Sequence, residues 1–171
     1  MTQLKKHQID FLKKVSHSQG VLYRISSVYA LGQEDRKDLW QEILFQLWRS
    51  YSSFNEKSSF STWMYRVALN TALMHQRKKK RSWFGVSSEY EYLQNAENHS
   101  VHYDEEVRIL YKCIHNLPHL ERAIILLKLE QKSYREIATI TGFSESNISV
   151  RIVRIKEKLK QMLIQNGVKG D

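Results

Sequence analysis

Asn147, Val150, Arg151, Arg154 and Lys158 carry the strongest chemical signal in the sequence. Arginine and asparagine form paired hydrogen bonds with the exposed edges of bases, and an aliphatic group meets a thymine methyl. At this spacing the side chains share one side of a helix, because residues three and four apart are surface neighbours. Their chemistry is recognition of a nucleic acid, not bond-making. Opposite them, Ile148, Ile152, Ile155 and Leu159 recur at 4-3-4 spacing and form an apolar stripe that must be buried.

Two further sets carry related chemistry. In FSTWMYRVALNTALMHQRKKKR, the spacing predicts a helix with Phe60, Trp63, Met64, Val67, Thr71 and Met74 as its buried stripe. Thr62, Tyr65, Arg66, Leu69, Asn70, Leu73 and Arg77 turn to other faces. Aromatics interleaved with Arg and Asn suit single-stranded nucleic acid, since bases stack on rings while cations meet phosphates. The plain alternative places Phe60 and Trp63 in the core. The run Arg77–Arg81 is a solvated basic face, whose functional use would be phosphate contact, which positions without specifying. In the third set, Asp38, Gln41, Glu42 and Phe45 share a face opposite Leu39, Ile43 and Leu47. Polar groups beside an exposed phenylalanine suit docking of a partner helix, the alternative being a solvated face with Phe45 in the core.

Enzymatic chemistry finds no support. The sequence has no phosphate-binding Walker loop, no HExxH and no Gly-rich dinucleotide turn. Cys113, His115 and His119, with His99 and His102 upstream, are the nearest approach to a metal-ligand set. Residues 113 and 115 point about 200° apart on a helix, and Pro118 interrupts the 115/119 spacing. A tetrahedral site needs convergent ligands. Neither a metal nor a cofactor is expected.

The elements that must position these groups are legible from their caps. Ser133 and Glu136 form an S-x-x-E capping box, followed by Ile137 and Ile140 on one face. Gly142 can adopt the left-handed backbone that stops a helix, and Ser144 can cap the next one. A short helix, a tight turn and a longer basic helix make a helix-turn-helix, the device that enters a DNA major groove. The bland alternative is an amphipathic hairpin with a solvated basic face. Further upstream, Ile9 and Leu12 give a faint periodic start, and Val21, Ile25 and Val28 mark a helix ending near Gly32. Asp35 or Asp38 is expected to start the next helix, DLWQEILFQLWRSY, and a Ser-rich loop, YSSFNEKSS, follows it.

Charge and composition set the organisation. The 171 residues carry a net charge of +9. Residues 1–82 hold 15 Lys/Arg and 6 Asp/Glu, residues 83–106 hold none and 6, and residues 107–171 hold 12 and 6. Two basic segments thus flank an acidic one, an asymmetry that marks nucleic-acid partners. Residues 83–106 lack a helical period and read as a flexible linker, whose Tyr90, Tyr92 and Tyr103 suggest a path along a partner surface. One proline and six glycines favour helix, and the single Cys113 excludes an internal disulfide and suits a reducing compartment. No apolar run approaches membrane-spanning length, and the N-terminus lacks a secretory apolar core. The expectation is a cytoplasmic, all-α chain of two small helical domains, 1–82 and 107–171, joined by the acidic linker 83–106 and not inserted in a membrane.

In this order the motifs resemble those of the extracytoplasmic-function sigma factors of bacterial RNA polymerase. The likeness rests on D-L-W-Q-E at 38–42, F-S-T-W-M-Y-R-V-A-x-N at 60–70 and R-K-K-K-R at 77–81, continuing with L-P-H-L-E-R at 117–122 and Y-R-E-I-A-x-I-x-G-x-S at 134–144. It implies a sigma region 2-like domain that binds the polymerase core and the melted −10 promoter element. It also implies a sigma region 4-like domain that reads the −35 element, with promoter DNA, the polymerase core and an anti-sigma factor as partners. By position, Asp38, Gln41, Glu42 and Phe45 look like polymerase-facing residues. Phe60, Thr62, Arg66, Asn70 and Arg77 look like the −10 surface, with the preceding loop as the pocket for an extruded base. Ser146, Asn147, Val150, Arg151 and Arg154 look like the −35 reading face. Many relatives have a small residue and Thr where this chain has Ser146 and Asn147, and Lys-Ser where it has Ser149 and Val150, so a promoter sequence does not transfer. The competing expectation is a helix-turn-helix regulator that binds duplex DNA without polymerase.

Overall fold

The computed structural model describes residues 3–30, 32–82 and 105–168, and their regular structure is entirely helical. In chain order the helices are α1 (Gln3–Ser16), α2 (Gln19–Tyr29), α3 (Gln33–Tyr51), α4 (Phe60–Ser82), α5 (Glu105–His115), α6 (His119–Leu129), α7 (Tyr134–Thr141) and α8 (Glu145–Gln165). They fall into two compact units, Met1–Phe84 and Gly85–Asp171. Most of the expected linker lies outside the described residues, including Tyr90, Tyr92 and Tyr103. Its last two residues, Glu105 and Glu106, are instead the first turn of α5, where carboxylates complement the helix dipole. None of the helices among the described residues is long and apolar enough to cross a membrane.

In the first unit α2, α3 and α4 pack on one another. Leu22 and Ile25 from α2 and Leu39, Ile43 and Leu47 from α3 are fully buried, so the four-residue spacing on α3 is the core stripe. No side chain caps α3. It starts at Gln33, behind Gly32 at φ 80°, a backbone open to glycine, and not at Asp35 or Asp38. Glu34 and Asp35 in its first turn face the helix dipole instead.

The buried face of α4 differs from the expected one. Met64, Tyr65, Ala68, Leu69 and Ala72 are buried, while Met74 is 58% exposed and Phe60, Trp63, Val67 and Thr71 are half-buried. Ala68 and Ala72 carry no bulk and fit a close helix approach, whereas a stripe read by hydrophobic size favours the large residues on the adjacent face. The faint start is a full helix, α1, yet it buries Phe11 and Val15 and leaves Ile9 and Leu12 exposed.

In the second unit α5, α6 and α7 surround the buried side of α8. Pro118 stands at the N-cap of α6 with φ −52°, where a missing N–H costs nothing. Arg122 is buried, and its Nη2 donates to the carbonyl oxygens of His115 and Leu117, the latter at 3.0 Å. The arginine therefore holds the α5–α6 turn closed, which explains the spacing of L-P-H-L-E-R.

Candidate nucleic-acid and partner interfaces

The α7–turn–α8 segment is built from its caps. Ser133 Oγ accepts the Glu136 amide at 3.2 Å, and the Glu136 carboxylate accepts the Ser133 amide at 2.8 Å. The Ser133 amide, followed by the Ser133 hydroxyl that donates to the carboxylate at 2.9 Å, holds the Glu136 carboxyl below the ordinary carboxylate range. Gly142 takes φ 81° and ends α7, and Ser144 Oγ accepts the Asn147 amide at 3.3 Å to open α8. Ile137 and Ile140 of α7 and Ile148, Ile152, Ile155 and Leu159 of α8 are buried. Ser146, Asn147, Val150 and Arg154 are exposed and Arg151 is half-buried. With Ser144 and Glu121 these five line one concavity. At its margin Lys158 pairs with Glu121 at 2.7 Å, tying α8 to α6.

The Arg151 guanidinium lies over the Phe143 ring, 4.9 Å from its centre, and its Nε donates to Asn147 Oδ1 at 2.5 Å. Helical periodicity does not single out Phe143. The only signal for it is an aromatic residue set between a helix-stopping glycine and a capping serine.

On α4, Arg66, Asn70 and Arg77 are exposed along one side. Thr62 stands apart from them at 8% exposure. Its amide donates to Ser59 Oγ at 3.1 Å, and its Oγ1 accepts the Ser59 hydroxyl at 3.0 Å, so Ser59 caps the helix and occupies this threonine. The side chains of residues 79–81 lie outside the described residues. Phe60 is neither free platform nor sealed core. With Tyr51, Phe54 and Trp63 it forms a half-open aromatic cluster, centred 5.5 Å from Trp63 and 5.8 Å from Phe54. The 52–59 loop wraps this cluster, and Glu56 in it takes the left-handed φ of 58°.

Helix α1 supplies residues that sequence periodicity did not reveal. Lys14 Nζ stands 5.6, 5.8 and 5.8 Å from the Tyr51, Phe54 and Phe60 rings. It also donates to Tyr51 Oη at 3.2 Å and pairs with Asp10 at 3.1 Å, while the Tyr51 hydroxyl donates to Asp10. The Tyr51 hydrogen bond, followed by that of Lys14, pulls the Asp10 carboxyl down. Hydrogen bonding to Tyr51 raises Lys14, and burial raises Tyr51.

On α3, Asp38 and Gln41 are exposed, and Glu42 is half-buried and accepts from Gln46 Nε2 at 2.9 Å. Phe45 is 56% exposed, so the arrangement that puts it in the core is excluded. Trp48 beside it is 38% exposed and packs edge-on against Phe11, extending an apolar strip along the helix. Cys113 is buried, and among the described residues no three of His, Cys, Asp and Glu converge on a common point.

The sequence matches the Sigma-70 region 2 family over residues 15–82 and the Sigma-70, region 4 family over residues 108–159. It is 31% identical over 146 residues to the ECF RNA polymerase sigma-E factor of Haemophilus influenzae, covering 78% of this chain and 77% of that one. With the ECF RNA polymerase sigma-E factor of Escherichia coli it shares 33% identity over 139 residues, 73% and 72% of the two chains. In fold it is similar to the sigma factor RpoE solved with the anti-sigma factor NepR from Bartonella quintana, with a TM-score of 0.71 and 20% identity over 90% of this chain and 96% of that one. CnrH, solved in complex with the cytosolic domain of CnrY, has a TM-score of 0.67 and 21% identity over 92% and 90%.

Proposed function

The chain belongs to the extracytoplasmic-function sigma factors, which direct bacterial RNA polymerase to promoters, and from that membership we propose how its faces divide the task. The outer face of α8, with Ser146, Asn147, Val150, Arg151 and Arg154, reads the −35 element in the major groove. Arg66, Asn70 and Arg77 on α4, with the aromatic cluster and the 52–59 loop, engage the separated −10 strand. Asp38, Gln41, Glu42 and Phe45 on α3 dock on the polymerase core. Thr62, buried against Ser59, serves this surface only by supporting the start of α4. An anti-sigma factor is a further partner, by analogy with the sigma factor RpoE solved with NepR. The protein acts in the cytoplasm, where its polymerase is, and catalyses no reaction of its own.

The observation that carries this reading is α8: a helix capped by Ser144, with four buried apolar residues behind and an exposed, donor-rich face in front. A face so made enters a groove while its back holds the fold. Core polymerase with and without the chain, transcribing a genomic promoter library, is the test. Specific initiation that needs both components supports the reading; tight sequence-specific duplex binding by the chain alone, with no core binding, contradicts it. On a promoter found this way Asn70→Ala should slow opening of duplex DNA, and a pre-melted −10 bubble should restore part of it. Wild-type opening by that variant would remove Asn70 from the −10 surface.

A further inference from the structure

We propose that Phe143, in the turn between α7 and α8, fixes the plane of the Arg151 guanidinium and thereby sets specificity for guanine at one base pair; this rests on α8 being the −35 reader. An arginine on a helix surface samples many rotamers and loses that freedom when it docks. Arg151 is held beforehand on two sides: the Phe143 ring lies under its guanidinium, and Asn147 Oδ1 takes its Nε hydrogen. Among the described residues Arg154, one turn further on, has neither contact.

The clamp also selects what can be read. With Nε committed to Asn147, Arg151 offers its Nη hydrogens, and Asn147 offers its amide hydrogens because its oxygen is engaged. Donors aimed outward from a fixed plane match the O6 and N7 acceptors of guanine and clash with the amino group of cytosine. Phe143 is not needed for the turn itself. Gly142 supplies the left-handed backbone at φ 81°, and Ser144 supplies the cap. The Phe143 side chain is half-buried, left over from the turn and spent on the arginine. It is a positioning residue, acting on DNA only through Arg151.

The test uses holoenzyme reconstituted from core polymerase and the full chain, measuring affinity for a cognate promoter and its single-base-pair −35 variants. Phe143→Met keeps apolar bulk without the aromatic face, Phe143→Tyr keeps the face, and Phe143→Leu repeats the first with a shorter side chain. Thermal unfolding of each variant identifies those that fold. Phe143→Met should weaken cognate binding about three- to tenfold. The loss should disappear on variants lacking one guanine and in the Arg151→Ala background, and Phe143→Tyr should match the wild type. A loss of equal size with and without Arg151, or on every promoter variant alike, or no loss at all, would overturn the role of Phe143 while leaving α8 as the reader. If neither Arg151→Ala nor Arg154→Ala changes promoter binding, the reading of α8 falls and takes this proposal with it.

Discussion

In α7 and at the start of α8 each helix boundary is set by residues within three positions of it: Ser133 with Glu136, Gly142 through its left-handed backbone, and Ser144 through the Asn147 amide. In the first unit no such device opens α2 or α3, whose N-cap residues Ser18 and Gly32 make no side-chain cap bond. What holds that unit lies far apart in sequence. Asp10 meets Tyr51, His75 pairs with Asp35 at 2.7 Å, and Gln76 donates to the Tyr29 carbonyl. Helix α8, the proposed reader, is thus defined locally, while the aromatic cluster proposed to bind the separated strand is assembled from α1, α3, the loop and α4. A rigid groove reader suits an intact duplex, whereas a half-open aromatic cluster suits a single strand whose bases must be admitted one at a time.

The largest effect that sharpens this contrast is expected at Arg122. Arg122→Ala removes the guanidinium donor from the buried Leu117 carbonyl and the half-buried His115 carbonyl and should destabilise the second unit by about 2–3 kcal/mol. Trp40, Trp48 and Trp63 lie in the first unit, and residues 105–168 contain no tryptophan. Circular dichroism should therefore record an earlier helix transition while the tryptophan fluorescence transition stays in place. Equal shifts in both signals would show that the two units unfold as one.

Next comes the α3 face. Replacing Gln41 and Glu42 together with Ala should weaken core binding by about 1–3 kcal/mol if they are desolvated there. Thermal stability should move by less than about 0.5 kcal/mol, as for other surface positions. Lost stability with intact core binding would mean that the face is structural.

Smaller effects separate the long-range network from the local caps. Tyr51→Phe removes the hydroxyl shared by Asp10 and Lys14 and should cost about 1 kcal/mol, read by tryptophan fluorescence. Ser133→Ala removes half the capping box and should cost about 1 kcal/mol, read in the helix signal alone. Their pH dependence should differ as well. Asp10 and Glu136 both have lowered values in the folded state, so each stabilises at neutral pH and loses its contribution as acid carries the pH down through those depressed values. Lys14 and Tyr51 are raised, so their contribution is complete below their unfolded values and fades as the pH climbs through the raised ones. Denaturation curves against pH should therefore show the first unit weakening in both acid and alkali, with Tyr51→Phe flattening the alkaline limb, and Ser133→Ala affecting only the acid side.

The same contrast explains what the sequence discloses. Capping boxes, a glycine stop and a 4-3-4 apolar stripe act over a few residues, so the helix-turn-helix and its outer face are legible in the order of residues alone. The buried face of α4 is not, because Ala68 and Ala72 are chosen by the closeness of neighbouring helices, a property absent from local hydrophobic spacing. Nor are Lys14 and Asp10, which join the aromatic cluster across 37 and 41 residues of sequence to Tyr51. Thr62 illustrates a motif position whose side chain serves the helix start, and Phe143 a turn residue whose purpose emerges only with Arg151 above it.

The most direct measurement is holoenzyme affinity for single-base −35 variants at several salt concentrations, with Arg151→Ala and Arg154→Ala compared with the wild type. At least one substitution should cost about 1–3 kcal/mol on the cognate sequence and relax discrimination at a single base pair. A substitution that touches only phosphate should instead weaken all sequences alike and lower the salt slope by about one unit. If neither changes affinity, salt slope or base preference, α8 does not read the promoter.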